Sequence, residues 1–122
     1  MKIRVIKHYS DLRIYQISYR LALAIHHLTQ NFPDFERYEV GSQLRRAAIS
    51  IPLNIAEGYG KKYSPADFKR FLNIALGSNN EVKVLLDLSK DLGYINESTH
   101  QEIFHEYDEL GKQIYSLLSK WK

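Results

Sequence analysis

Cysteine is missing from all 122 residues. Its absence excludes disulfide-stapled scaffolds, thiolate zinc sites and cysteine nucleophiles. It also removes the direct marker of redox compartment. Glycine and proline are scarce, six and three respectively. A β-sandwich needs a turn signal every 8–12 residues or so, so these numbers speak against one. No stretch approaches the roughly 18 consecutive apolar residues of a membrane-spanning helix, and no membrane partner is expected. Charges break every apolar run of the N-terminal MKIRVIKHYSDL, leaving no signal-peptide core, and the expected compartment is the cytoplasm. No Gly-x-Ser-x-Gly elbow, phosphate loop or dinucleotide fingerprint occurs, so no cofactor is expected.

What is present is ordinary for a soluble globular protein: 44% hydrophobic and 25% charged residues, with a formal net charge of +3. The length fits one domain over residues 1–122, which buries roughly two-thirds of its unfolded surface. Nine tyrosines are many for this length.

Four segments carry a helical period, over about 11–30, 34–59, 65–90 and 97–121. In the first, Ile14, Ile17, Leu21, Ala24, Ile25 and Leu28 form one stripe. Ser10 is placed to cap it, with Asp11 favourable to the helix dipole. A weaker strip of Leu12, Tyr15, Tyr19, Ala22 and Leu23 offers a second face. In the second segment Leu44, Ala47, Ala48, Ile51 and Ile55 form a stripe, and Ile49 and Leu53 lie nearly opposite it. A helix apolar over most of its circumference is expected to be covered on most of it. Pro52 removes one backbone bond, and the apolar register running past it favours a kink near Pro52 over a break.

Ser64-Pro65-Ala66-Asp67 is a strong start signal for the third segment. Phe68, Phe71, Leu72, Ala75, Val82, Leu85, Leu86 and Ser89 share one face. Gly77, costing about 1 kcal/mol against Ala, points to a close backbone approach there. Gly93 reads as a left-handed C-terminal residue. In the fourth segment Ile103, Tyr107, Leu110, Ile114, Leu117, Leu118 and Trp121 form a stripe. Asn96 or Ser98 can cap it, the latter with Gln101 as a capping box. Short links between long helices predict an all-α fold, an antiparallel up-down-up-down four-helix bundle.

Catalytic signals are weak. Glu97-x-x-His100 and Glu102-x-x-His105 lie on one helix, five residues apart, whereas a di-iron bundle spreads such pairs over two helices. His26 and His27 are adjacent and cannot both face one ion. No metal site is expected. Gly58-Tyr59-Gly60-Lys61-Lys62 follows a helix instead of a strand, and reads as an ordinary helix end with Gly for the cap.

Two constellations carry more. Arg46, Ser50, Asn54 and Glu57 form a polar wedge at i, i+4, i+8 and i+11, and buried members must find partners. Ser78 and Glu81 could supply them, as a network setting helix register. An active site built on Asn54, Glu57, Ser78 and Glu81 is the least favoured reading, because no nucleophile stands beside an activating base. The other constellation is charge. Residues 1–72 hold 12 cationic and 6 acidic side chains, and residues 73–122 hold 5 and 8. Arg45, Arg46, Lys61, Lys62, Lys69 and Arg70 cluster in sequence, with Tyr59 and Tyr63 among them. Cations interleaved with aromatics suit single-stranded or looped nucleic acid.

The run Gln43-Leu44-Arg45-Arg46-Ala47-Ala48-Ile49-Ser50-Ile51-Pro52-Leu53-Asn54-Ile55-Ala56-Glu57-Gly58 resembles the signature of small bacterial four-helix bundle proteins. Some of these are encoded by intervening sequences within 23S ribosomal RNA genes. Phe71 to Ser78, followed by Glu81, is similar to the family's second motif. Asp91-Leu92-Gly93-Tyr94-Ile95 is similar to its third-to-fourth helix turn, and Phe32-Pro33 with Glu36 also agrees. The resemblance spans nearly the whole chain. Asn79-Asn80 departs from the more apolar residues usual there, which puts local packing of the third helix in question. The resemblance implies a ring-like homopentamer and a distant likeness to the accessory protein of diversity-generating retroelements. That relative binds a reverse transcriptase and nucleic acid. For the family itself, RNA or ribosome association is implied by genomic context.

The sequence therefore leads to a non-enzymatic, oligomeric bundle. RNA or a nucleoprotein partner would bind through Arg45, Arg46, Lys61, Lys62, Lys69 and Arg70. Subunits would meet through Ile49, Leu53, Tyr15 and Tyr19. The alternative is a protein-interaction scaffold whose basic patch meets an acidic protein.

Overall fold

Helix ends fall where backbone groups without intrahelical partners can be satisfied. The computed structural model describes residues 5–121, so the single domain expected over 1–122 extends at both ends beyond the described range. A 3-10 turn, Tyr9–Asp11, leads into α1 (Arg13–Thr29). A one-turn helix, α2 (Asp34–Arg37), precedes α3 (Val40–Gly60), and α4 (Pro65–Asp91) and α5 (Glu97–Lys120) follow. The four long helices form an antiparallel up-down-up-down bundle, with α3 packed against both α1 and α4, and α5 against α4 and α1.

Several start and stop signals act as read. Ser64 Oγ accepts from the Asp67 N–H at 3.3 Å, with Pro65 opening α4. Gly93 has φ 81°, and the bonds Gly93 N–H to Lys90 O (2.9 Å) and Tyr94 N–H to Ser89 O (2.8 Å) complete a Schellman motif. Asn96, not Ser98, caps α5: its Oδ1 accepts from the Thr99 N–H at 2.8 Å.

Four expectations are corrected. Ser10 does not cap α1. His8 caps the 3-10 turn, and Asp11 folds back to accept from the Lys7 and His8 N–H groups at 2.9 and 3.0 Å. The second segment is not continuous from 34, because α2 ends at Arg37 and the chain leaves helical geometry at Glu39 before α3 begins. The break is sealed by Arg45, whose Nη2 donates to Arg37 O at 2.8 Å. Gly77 is exposed with no neighbour within 4 Å of an added side-chain carbon, so it admits no close approach within the bundle. Gly58 is no cap. It is buried inside α3, where an added carbon would sit 2.7 Å from Phe71 Cβ. The close approach expected at Gly77 belongs to Gly58.

α3 runs unbroken through Pro52. Its stripe residues Leu44, Ile51 and Ile55 are fully buried, together with Leu21 and Ile25 of α1, Phe68, Leu72, Val82 and Leu86 of α4, and Tyr107, Leu110 and Ile114 of α5. Each such apolar side chain contributes about 1.5–3 kcal/mol by leaving water. Lys83 Nζ to Asp108 Oδ1 at 2.8 Å ties α4 to α5, and Arg20 to Glu106 at 3.1 Å ties α1 to α5.

Candidate nucleic-acid interface and apolar groove

The topology sorts charge by bundle end. The start of α1, the end of α3, the start of α4 and the end of α5 lie together. The edge-on contact of Trp121 with Phe68, ring centres 4.6 Å apart, marks this end. Residues 7–13, 57–70 and 120 bring seven cations there (Lys7, Arg13, Lys61, Lys62, Lys69, Arg70, Lys120) against Asp11, Glu57 and Asp67. The opposite end is marked by the Phe32–Tyr94 ring contact at 5.4 Å. There residues 30–46 and 84–102 hold four cations against seven carboxylates.

This arrangement divides the six cations that sequence proximity grouped. Lys61, Lys62, Lys69 and Arg70 stand together at the basic end. Arg45 and Arg46 lie roughly 22 Å away along α3, at 1.5 Å per residue, within the acidic end. Arg46 is exposed, whereas Arg45 is half-buried and its guanidinium is occupied, Nη1 donating to Thr29 Oγ1 at 3.0 Å and Nη2 to Arg37 O. Arg45 joins α1, α2 and α3, and is a structural residue.

At the basic end the cations rest on rings. Lys62 Nζ lies 4.2 Å from the Tyr59 ring centre and 4.8 Å from that of Tyr63. Lys61 Nζ is 5.4 Å and Arg70 Cζ 4.5 Å from the Phe71 ring centre. Such contacts contribute about 0.5–1 kcal/mol each at exposed sites and hold the charges in place over the turn. Arg70 also meets Asp67 at 3.9 Å, an exposed pair of small energetic weight. Phe71 was legible only as a core residue; its second use depends on which cations the turn folds over it.

The polar wedge is partly realised. The Ser50 and Ser78 hydroxyls are 2.8 Å apart, and Asn54 Nδ2 donates to Ser50 O at 2.8 Å and Ser50 Oγ at 3.0 Å. These half-buried groups pin α3 to α4. Arg46, Glu57 and Glu81 are exposed and make no hydrogen bond to the network among the described residues. Among the described residues, no group of three or more His, Asp or Glu side chains could hold a metal ion. His100 is buried and bonded through Nε2 to Asp87 at 2.7 Å, and His105 is exposed.

Ile49, Leu53, Tyr15 and Tyr19 come together. They line an open groove of about 480 Å³ between α1 and α3, floored by Ala22, Pro52 and Ala56 and flanked by Tyr9, Leu23 and His26. Leu53 is 62% and Ile49 54% exposed, an unusual exposure for helix residues bordering a core. No helix among the described residues is long and apolar enough to cross a membrane.

The family model for the 23S rRNA-intervening sequence protein matches residues 10–116, nearly the whole bundle. The chain belongs to this family. Among solved structures, the 23S rRNA-intervening sequence fold seen here is similar to a protein of unknown function from the S23 ribosomal protein family of Bacteroides thetaiotaomicron VPI-5482. The two chains are 28% identical, the match covers 88% of this chain and 96% of that one, and the TM-score is 0.80. None of the curated proteins matches. The runs around Ser50, Asn54 and Ser78 that carry the sequence resemblance map onto the α3–α4 seam, and Gly93 onto the α4–α5 turn.

Proposed function

We propose that this 23S rRNA-intervening sequence protein is a non-enzymatic, homo-oligomeric bundle acting in the cytoplasm, and that it binds RNA through its basic end. The observation that carries the reading is the gathering of Lys61, Lys62, Lys69 and Arg70 with Lys7, Arg13 and Lys120 around one end of the bundle. Phosphate neutralisation by such a patch releases counterions and makes affinity fall steeply with salt. Arg46 is left out of the contact, and Arg45 is assigned to structure.

The apolar groove between α1 and α3 supports assembly. Ile49, Leu53, Tyr15 and Tyr19 supply an exposed apolar patch of the kind that closed oligomers bury. The ring-like pentamer implied by the family resemblance would repeat the basic end in every subunit and strengthen its field. A second reading, a protein-interaction scaffold, is favoured by the same groove if a different protein covers it. Light scattering on the purified protein, with RNA affinity measured across a salt series, tests both parts. A monomer in solution contradicts the assembly. A flat salt dependence, or no binding at low salt, contradicts the RNA contact.

A further inference from the structure

Tyr63 is 90% exposed, the most open of the large apolar side chains among the described residues. It stands in the four-residue link between α3 and α4 and contributes nothing to the core. It is nevertheless held. Lys62 Nζ lies over its ring and over that of Tyr59, and Tyr59 is anchored in the bundle with only 7% of its surface exposed. The Tyr63 ring therefore has a cation beside it and ample ring area facing solvent. Lys61, two residues before it in the same link, and Arg70, in the first turns of α4, both rest on Phe71.

An exposed flat ring with one cation over it, at the end of the bundle where further cations gather, matches a ligand that is itself flat and carries anions on either side. A nucleotide within a single strand has that form. A base in a duplex is stacked on its neighbours and has no face to offer, whereas an unpaired base stacks on aromatic side chains while its phosphates meet the cations. An acidic protein segment would use the charges and leave the ring idle.

We propose that the α3–α4 turn is a stacking platform for an unpaired base of single-stranded nucleic acid. Tyr63 carries the base, and Lys61, Lys62 and Arg70 meet the flanking phosphates. This inference rests on the RNA-binding reading above and specifies the form of nucleic acid bound.

The test is fluorescence anisotropy with a short labelled oligouridine strand and an RNA hairpin stem, using wild-type protein, Tyr63→Ala, Tyr63→Phe, and a Lys61→Ala/Lys62→Ala double variant. Tyr63 is exposed in a turn, so these substitutions leave the bundle folded, which circular dichroism checks. The expected result is tighter binding of the strand than of the stem. Tyr63→Ala should weaken strand binding about tenfold with an unchanged salt slope, and Tyr63→Phe should retain it. The double variant should weaken both ligands. If wild-type protein binds RNA but Tyr63→Ala loses nothing, or loses equally on strand and stem, stacking is refuted while RNA binding stands. If neither RNA binds at low salt, both readings fall.

Discussion

Gly58 of α3 and Phe71 of α4 approach so closely that a side-chain carbon at Gly58 would lie 2.7 Å from Phe71 Cβ and 3.1 Å from Phe68 Cδ1. Helix propensity alone would make Gly58→Ala a gain of about 1 kcal/mol. The packing reverses the sign. Gly58→Ala should destabilise the protein by about 1–3 kcal/mol, whereas Gly77→Ala, with open space around it, should stabilise it by up to about 1 kcal/mol. Urea denaturation of the two variants checks the opposition of sign.

Arg45 and Arg46 are neighbours in sequence with different work. Arg45→Ala removes the bonds to Thr29 and to the Arg37 carbonyl, and should cost about 1–3 kcal/mol. The exposed Arg46→Ala should stay within about 0.5 kcal/mol of wild type. Equal effects in thermal denaturation would contradict the structural role of Arg45.

Leu53→Glu places a carboxylate on the α1–α3 groove at a position exposed in the single subunit. The variant should keep its helical circular dichroism and, if subunits assemble through this groove as proposed, run as a monomer in light scattering where wild type runs as an oligomer. Retention of the wild-type mass would show that subunits meet elsewhere.

The Lys61→Ala/Lys62→Ala variant should lower the slope of log affinity against log salt by about 1.4, near 0.7 for each single-strand phosphate that is no longer neutralised. Arg46→Ala should leave the slope unchanged, because Arg46 sits at the other end. A slope that responds to Arg46 would return the RNA to the α3 face.

Asp108 accepts a hydrogen bond from Lys83, and that bond, with the charges of Lys83 and Lys112, holds its carboxyl below the ordinary carboxylate range. A depressed folded-state value stabilises above the unfolded value, and that stability is lost as pH falls through the folded one. The Tm difference between wild type and Asp108→Asn should be constant from neutrality down to about pH 5 and shrink below about pH 4. A difference independent of pH would mean the pair contributes nothing through ionisation.

Much of the fold was legible because periodicity is local information. Leu44, Ile51 and Ile55 repeat at helical spacing, and they are buried whatever packs on them. Ser64-Pro65 and Gly93 mark ends through their own backbone chemistry. The break at Tyr38 and Glu39 was not legible, since it depends on Arg45 reaching back eight residues to a carbonyl. The site was legible in parts. Tyr15, Tyr19, Ile49 and Leu53 were found as a second apolar face, and they meet in one groove. Ser50, Asn54 and Ser78 were found as polar residues on helix faces. Glu57 and Glu81 were not separable from them, because spacing on a helix does not say how far the neighbouring helix extends over its edge.

By itself, the sequence determined the class of this protein: a cysteine-free, all-α chain whose stripes and breakers allow a four-helix bundle and whose motifs belong to one family. Only the tertiary structure decided which cations act together. Arg45 and Lys61 belong to the same stretch of chain, but a rigid helix holds its ends far apart, and antiparallel packing brings the distant Arg13 and Lys120 to the end that Lys61 occupies. It likewise decided that Gly58, and not Gly77, is a point of close contact between two helices, because close approach belongs to a pair of helices and cannot be read from one.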